Sequence, residues 1–123
     1  MANILLIEDE QIVAETLEIV LFKAGHDVVV AANGDIGLAQ FIERKPDLVI
    51  TDIIMPEKEG LETIRAIREK DPSVPILAYS GGGRTRNFDF LRMADKLGAN
   101  EVLRKPFTNE DMIAAVARLT SKS

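Results

Sequence analysis

Cysteine is absent from the chain and histidine occurs once, as His26. Disulfides, thiolate zinc sites and cysteine nucleophiles are therefore excluded, and one imidazole cannot build a histidine metal cluster. Excess positive charge is missing too. Fifteen basic residues stand against twenty acidic ones, a net charge of −5, so no basic face is available to neutralise a phosphate backbone, and direct nucleic-acid binding is not expected. No apolar run approaches the ~18 residues a membrane span requires, and no basic segment followed by an apolar stretch opens the chain. A cytoplasmic protein is the expectation. Glycine- or serine-rich linkers and low-complexity tracts are also lacking. What is present, 123 residues of which 46% are apolar and 28% charged, is the material of one globular domain over residues 1–123, with no room for a second core.

Five short apolar runs recur along it: Ile4 to Ile7, Val28 to Val30, Leu48 to Ile50, Ile76 to Tyr79, and Val102 with Leu103. They lack the polar alternation of a half-exposed strand, which predicts strands covered on both faces, as in parallel sheets. Helix-period segments lie between. The first, about Gln11 to Ala24, turns Val13, Leu17, Val20, Leu21 and Ala24 inward and is stopped by Gly25. The second, roughly Asp35 to Glu43, places Ile36, Ala39 and Ile42 inward. The third, Leu61 to Lys70, uses Leu61, Ile64 and Ile67 and ends at Asp71-Pro72. The fourth runs from about Phe88 to Leu97 and is closed by Gly98. The last follows Thr108, an N-cap with Asp111 three residues on, and buries Met112 or Ile113, Val116 and Leu119. Five βα units in succession make a doubly wound α/β domain, a flavodoxin-like (βα)5 fold, because each parallel return through a helix is right-handed.

In such sheets ligands bind beyond the carboxyl ends of the strands, so the residues that follow each apolar run carry the chemistry. Glu8 and Asp9 follow the first strand, Asp52 the third, Ser80 the fourth and Lys105 the fifth. The second is followed only by Ala31, Ala32 and Asn33. That strand is accordingly placed at an edge, giving the order 2-1-3-4-5 with the site at the reversal between strands one and three. Three carboxylates crowded together repel one another unless a cation sits among them. All-oxygen ligands with neither histidine nor cysteine favour a hard ion, Mg²⁺ or Mn²⁺ in its place. Lys105 adds a positive charge, and the Ser80 hydroxyl and Gly81 amide add donors. The set suits phosphoryl transfer, with Asp52, on the central strand, as the nucleophile.

These residues resemble a known family. Leu5 to Glu10 (Leu-Leu-Ile-Glu-Asp-Glu), Leu48 to Pro56 (Leu-Val-Ile-Thr-Asp-Ile-Ile-Met-Pro) with Gly60, Pro75 to Gly81, and Leu103 to Phe107 (Leu-Arg-Lys-Pro-Phe) are similar to the receiver domain of two-component response regulators, in its stand-alone CheY-like form, across essentially the whole chain. The resemblance implies that Asp52 takes a phosphoryl group from a phosphohistidine of a sensor kinase or histidine phosphotransfer protein. It also implies Mg²⁺ ligation by Asp9, Asp52 and the Ile54 backbone carbonyl, with Glu8 acting through water. Ser80 becomes the switch hydroxyl, and Lys105 pairs with a phosphoryl oxygen. The protein is then a signalling phosphoacceptor that catalyses only its own phosphorylation and dephosphorylation and switches the binding of a downstream protein, as a monomer or weak dimer. Two departures from the pattern stand out. Val102 occupies a position where many receivers carry Tyr or Phe, and the Gly81-Gly82-Gly83-Arg84-Thr85-Arg86 segment is longer than is typical. Together they place the switch in Gly81 to Asn87.

Taken singly, each motif has a plainer reading: Glu8-Asp9 and Asp52 as caps, Lys105-Pro106 and Ser80 with its glycines as turns. Jointly, four such accidents at four strand ends are improbable. His26, in the Gly25-His26-Asp27 turn, reads as a solvated loop histidine. On the first helix Ile12, Ile19 and Phe22 fall outside the core stripe, either as scattered surface residues or as a docking face for a helical kinase bundle, completed by Phe107 and Thr108. A haloacid-dehalogenase-type phosphatase needs an acid two residues after the nucleophile, where this chain has Ile54. An FMN carrier is opposed by Glu8-Asp9-Glu10, and no nucleotide-binding P-loop is present. The alternative of another class is a phosphorylation-independent interaction module, a pseudo-receiver.

Overall fold

A computed structural model describes residues 2–53, 60–79, 87–104 and 106–121, of which 87–91 are described by backbone alone. Five strands, β1 (Asn3–Ile7), β2 (Asp27–Ala31), β3 (Leu48–Asp52), β4 (Ile76–Tyr79) and β5 (Glu101–Leu103), alternate with five helices. These are α1 (Gln11–Lys23), α2 (Gly34–Arg44), α3 (Gly60–Lys70), α4 (Asn87–Leu97) and α5 (Asn109–Thr120). The strands form one parallel sheet in the order β2-β1-β3-β4-β5. β3 is buried along its whole length and β1 from Ile4 onward. That double-sided cover is why both read as unbroken apolar runs rather than as alternating ones. One core layer gathers Leu5, Ile7, Val49, Ile64, Ile67 and Ile76. The opposite layer gathers Leu6, Leu17, Leu21, Ile50, Leu77 and Met112.

Punctuation residues end the helices for identifiable reasons. Gly25 and Gly98 take φ of +101° and +121°, a left-handed region costly to any residue with a Cβ, and so close α1 and α4. Asn33 caps α2 by accepting from the Ile36 amide at 2.8 Å. Thr108 and Asp111 form a reciprocal capping box at α5, each side chain accepting from the other's backbone amide at 2.9 Å.

Three helix-face expectations need correction. In α2, Ile36, Ala39 and Ile42 point to solvent, and Gly34, Gly37 and Phe41 are buried instead, with Leu38 half-buried. A Cβ on Gly37 would lie 2.5 Å from Ile7 Cδ1, so the helix approaches β1 along the face that lacks side chains. In α1, Ala24 is exposed at the C-cap, and Ala14 joins Leu17 and Leu21 inside. In α5, Met112, Ala115 and Val116 are buried, while Ile113 and Leu119 are half-buried. His26 is likewise not simply solvated. It is half-buried, and its Nδ1 accepts from the Ala2 amide at 3.1 Å. Among the described residues no helix is long and apolar enough to cross a membrane.

Candidate functional site

The reversal of strand order falls between β1 and β3, and both strands end there in acid. β1 runs directly into Glu8 and Asp9, and β3 ends on Asp52, which lies level with Tyr79 at the end of β4. One carboxylate oxygen from each of Glu8, Asp9 and Asp52 lies within 4.8 Å of the others. Glu8 and Asp52 are only 2% and 4% exposed, and Asp9 is the most open of the three. The structure thus brings together the three carboxylates that follow the first and third apolar runs. Ile54, Ser80, Gly81 and Lys105 lie outside the described residues, as do residues 81–86 of the proposed switch segment.

Backbone bonds hold the acidic strand ends. Glu8 N–H donates to Ala31 O at 3.0 Å, and Ile53 N–H donates to Tyr79 O at 2.9 Å. The Thr51 hydroxyl donates to Asp52 O at 3.0 Å. At the start of α3 the Gly60 amide donates to Ile53 O at 3.0 Å, and the two backbones meet so closely that a Cβ on Gly60 would fall on Asp52 O and 2.6 Å from Ile53 Cα. Only a residue without a side chain permits α3 to begin against the backbone of Asp52. A cavity of about 460 Å³ lined by Asn3, Ile4, Asp27, Gln40 and Arg44 lies at the other end of the strands, away from these groups.

Glu8 is fixed on both oxygens. Oε2 accepts from the Glu10 amide at 2.9 Å, and Oε1 accepts from the buried Tyr79 hydroxyl. Burial pushes the Glu8 carboxyl from its ordinary 4.5 up to about 7; the two hydrogen bonds oppose this shift, and the charges of Asp52 and Asp9 add to it. Burial and the negative charge of Glu8, Asp52 and Asp9 push the Tyr79 hydroxyl upward as well, so it stays a donor. Its ring meets Phe107 edge-on, with centroids 5.9 Å apart and planes at 74°. Tyr79 is the residue of this site that sequence reasoning missed. At the end of an apolar run it reads as core, which its ring is; the available signal is a hydroxyl-bearing aromatic immediately before Ser80.

A cluster of oxygen ligands alone, two of them nearly inaccessible, suits a hard divalent cation and disfavours a soft one. The residues present therefore fit Mg²⁺ or Mn²⁺.

The family model for the response regulator receiver domain matches residues 4–117. The chain belongs to that family. It is 32% identical over 121 residues to the transcriptional regulatory protein DltR of Streptococcus agalactiae, covering 98% of this chain and 53% of DltR. It is 29% identical to the alkaline phosphatase synthesis transcriptional regulatory protein PhoP of Bacillus subtilis, covering 98% of this chain and 49% of PhoP. The receiver thus spans about half the length of these curated relatives. Among solved structures, a response regulator receiver domain protein from Clostridium thermocellum superposes with a TM-score of 0.90 at 33% identity, covering 98% of this chain and 94% of that one. The chemotaxis protein CheY4 of Vibrio cholerae does so at 0.85 and 27%, covering 97% and 98%. The (βα)5 fold with order 2-1-3-4-5, read from the strand-end pattern, is the fold of this receiver.

Proposed function

We propose that residues 1–123 act as one phosphoacceptor receiver in which Asp52 accepts a phosphoryl group from a phosphohistidine donor. The observation that carries this reading is the convergence of the Glu8, Asp9 and Asp52 carboxylates within 4.8 Å at the carboxyl ends of β1 and β3. A carboxylate oxygen of Asp52 attacks the phosphorus in line, and the new P–O bond forms as the P–N bond breaks. The imidazole leaves with the electron pair. Asp9, Asp52 and the Ile54 carbonyl would hold Mg²⁺, with Glu8 acting through water, and the ion would supply neutralising charge to the phosphoryl oxygens. Lys105 pairs with one of those oxygens, and the Ser80 hydroxyl and Gly81 amide donate to the others. Chemistry of this kind acts on the protein itself and needs no further substrate.

The donor is a sensor histidine kinase or a histidine phosphotransfer protein. Ile12, 79% exposed, with Ile19 and Phe22 offers it an apolar face on α1. Phe107 contributes less of that surface than the sequence suggested, because its ring is half-buried against Tyr79. Phosphorylation then switches binding of a downstream protein in the cytoplasm, with Gly81 to Asn87 as the responding segment. The relatives named above are transcriptional regulators about twice as long, which makes transcription a candidate output for any longer protein that carries this receiver.

Incubation with acetyl phosphate and Mg²⁺ should add one phosphoryl group by intact mass, and Asp52→Asn should abolish the gain. Equal labelling of the variant overturns the nucleophile assignment. A protein that never labels yet still binds its partner is the interaction module instead.

A further inference from the structure

We propose that Tyr79 is a positioning residue for the acidic cluster: its hydroxyl fixes the Glu8 carboxylate beside Asp9 and Asp52 in the orientation that metal binding uses. The inference rests on the phosphoacceptor reading above and goes beyond it, since Tyr79 was no part of that machinery.

Three observations converge on it. The Tyr79 hydroxyl donates to Glu8 Oε1 across 71 positions of sequence, in a fully buried contact. Glu8 Oε2 is already taken by the Glu10 amide, so the two bonds together leave the carboxylate little freedom to rotate. The ring cannot swing away either: it is 1% exposed, it packs in the layer with Leu6, Ile50 and Met112, and Phe107 closes on its edge. A buried aromatic in that layer could have been phenylalanine at no cost to packing. The hydroxyl is meaningful only for the carboxylate it meets, since a phenol placed in a core without an acceptor is unfavourable. Each carboxylate oxygen has a second lone pair, so Oε1 can accept from Tyr79 and still face the cluster. Outer groups that fix the orientation of a site's carboxylates matter to the metal, and losing one typically weakens binding about 10- to 100-fold; because Glu8 acts through water, the lower end of that range applies to Tyr79.

The chain supplies its own reporter, because it contains one tyrosine and no tryptophan. All intrinsic emission in the tyrosine band comes from Tyr79. A phenol hydrogen-bonded to a carboxylate is quenched, and a cation among the carboxylates draws charge from that bond. Emission should therefore rise on Mg²⁺ addition, following the affinity measured by calorimetry on the same full chain, and Asp52→Asn should weaken both signals together. Tyr79→Phe, which keeps the ring and its Phe107 contact, should bind Mg²⁺ about tenfold more weakly while its far-ultraviolet dichroism matches the wild type. An affinity within twofold of wild type, or a tighter one, overturns the inference while leaving the phosphoacceptor reading intact. Flat emission in a wild type shown by calorimetry to bind also overturns it, and this arm holds even if Tyr79→Phe fails to fold. Absence of Mg²⁺ binding by the wild type overturns the phosphoacceptor reading itself and this inference with it.

Discussion

At the amino ends of the strands polar groups meet complementary partners, whereas at the carboxyl ends three carboxylates are crowded together. Asn3 N–H donates to Asp47 Oδ2 at 2.8 Å, and Asp47 N–H returns a bond to Asn3 O at 2.8 Å. Asn100 exchanges two bonds with Ile76, its Oδ1 accepting from Ile76 N–H and its own N–H donating to Ile76 O, both at 2.8 Å. Arg68 there donates to Gly98 O, Asp71 O and Asn100 Oδ1 at 3.0, 3.1 and 2.8 Å. The polar groups named at that end are thus satisfied by one another. At the opposite end Glu8 is protonated more readily than an ordinary glutamate, and like charges face one another across a few ångströms. Such crowding of like charges costs folding free energy, and a cation placed among the carboxylates would relieve it. The sheet thus pairs its polar groups at one end and gathers its acids at the other.

Gly60→Ala is the strongest way to break that division, because it forces the acidic end to change shape. A Cβ there meets backbone at Asp52 O and Ile53 Cα, neither of which can rotate aside. The variant should lose about 4 kcal/mol, at the severe end for one substitution. Its phosphoryl labelling per folded molecule should fall as well, since Asp52 must move with its carbonyl. Urea unfolding with parallel labelling measures both, and a variant of near wild-type stability would show that α3 can simply shift outward.

How much of this was legible before the fold was known follows the physics of each region. Parallel strands buried on both faces announce themselves as apolar runs, and acids placed directly after them fall at the carboxyl ends by topology alone. Glu8, Asp9 and Asp52 needed nothing further. Hydropathy is blind to close approach, however. In α2 the buried face is built on Gly34 and Gly37, which carry no apolar side chain, so the pattern points Ile36 and Ile42 to a core they do not reach. Tyr79 failed for a related reason: a residue can be core by its ring and site by its hydroxyl, and periodicity registers only the ring. The Gly60 contact was equally invisible, since it depends on two backbones separated by a connection whose path no local pattern specifies.

The crowding itself should be readable as pH dependence. Glu8 is raised from 4.5 to about 7 in the folded protein, so between those values the native state binds the proton that the unfolded chain has released. Stability without metal therefore falls as pH rises from about 4.5 to 7 and is level above. At ~1.36 kcal/mol per pH unit the loss is about 3 kcal/mol. His26, lowered below its ordinary 6.5 chiefly by burial, acts in the opposite sense over part of the window. The quantity to measure is hence the difference between wild type and Glu8→Gln, in which His26 cancels. That difference should grow in favour of the variant up to neutral pH, and saturating Mg²⁺ should shrink it by stabilising the wild type more than the variant. A difference constant from pH 5 to 7.5 would mean that the carboxylates are relaxed without a cation.

The smallest expected effect belongs to the opposite end and sharpens the contrast by leaving the site untouched. Arg68→Ala removes three hydrogen bonds, two of which tie α3 to Gly98 at the close of α4 and to Asn100 just before β5, while the third closes on Asp71 at the end of α3 itself. Burial lowers the pKa of this guanidinium only against an ordinary value so high that it stays charged, and Asp71 supports the charge. Part of the loss is recovered because water replaces the donor at exposed Asn100. The cost should be about 2 kcal/mol by thermal or urea unfolding. Mg²⁺ affinity and the labelling of Asp52 should not change, because no group of the acidic cluster touches Arg68 among the contacts named. Weaker Mg²⁺ binding in this variant would mean that the two ends are coupled through β4, whose first residue bonds to Asn100 and whose last is Tyr79. The sheet would then transmit strain along its length, and the amino end would belong to the switch.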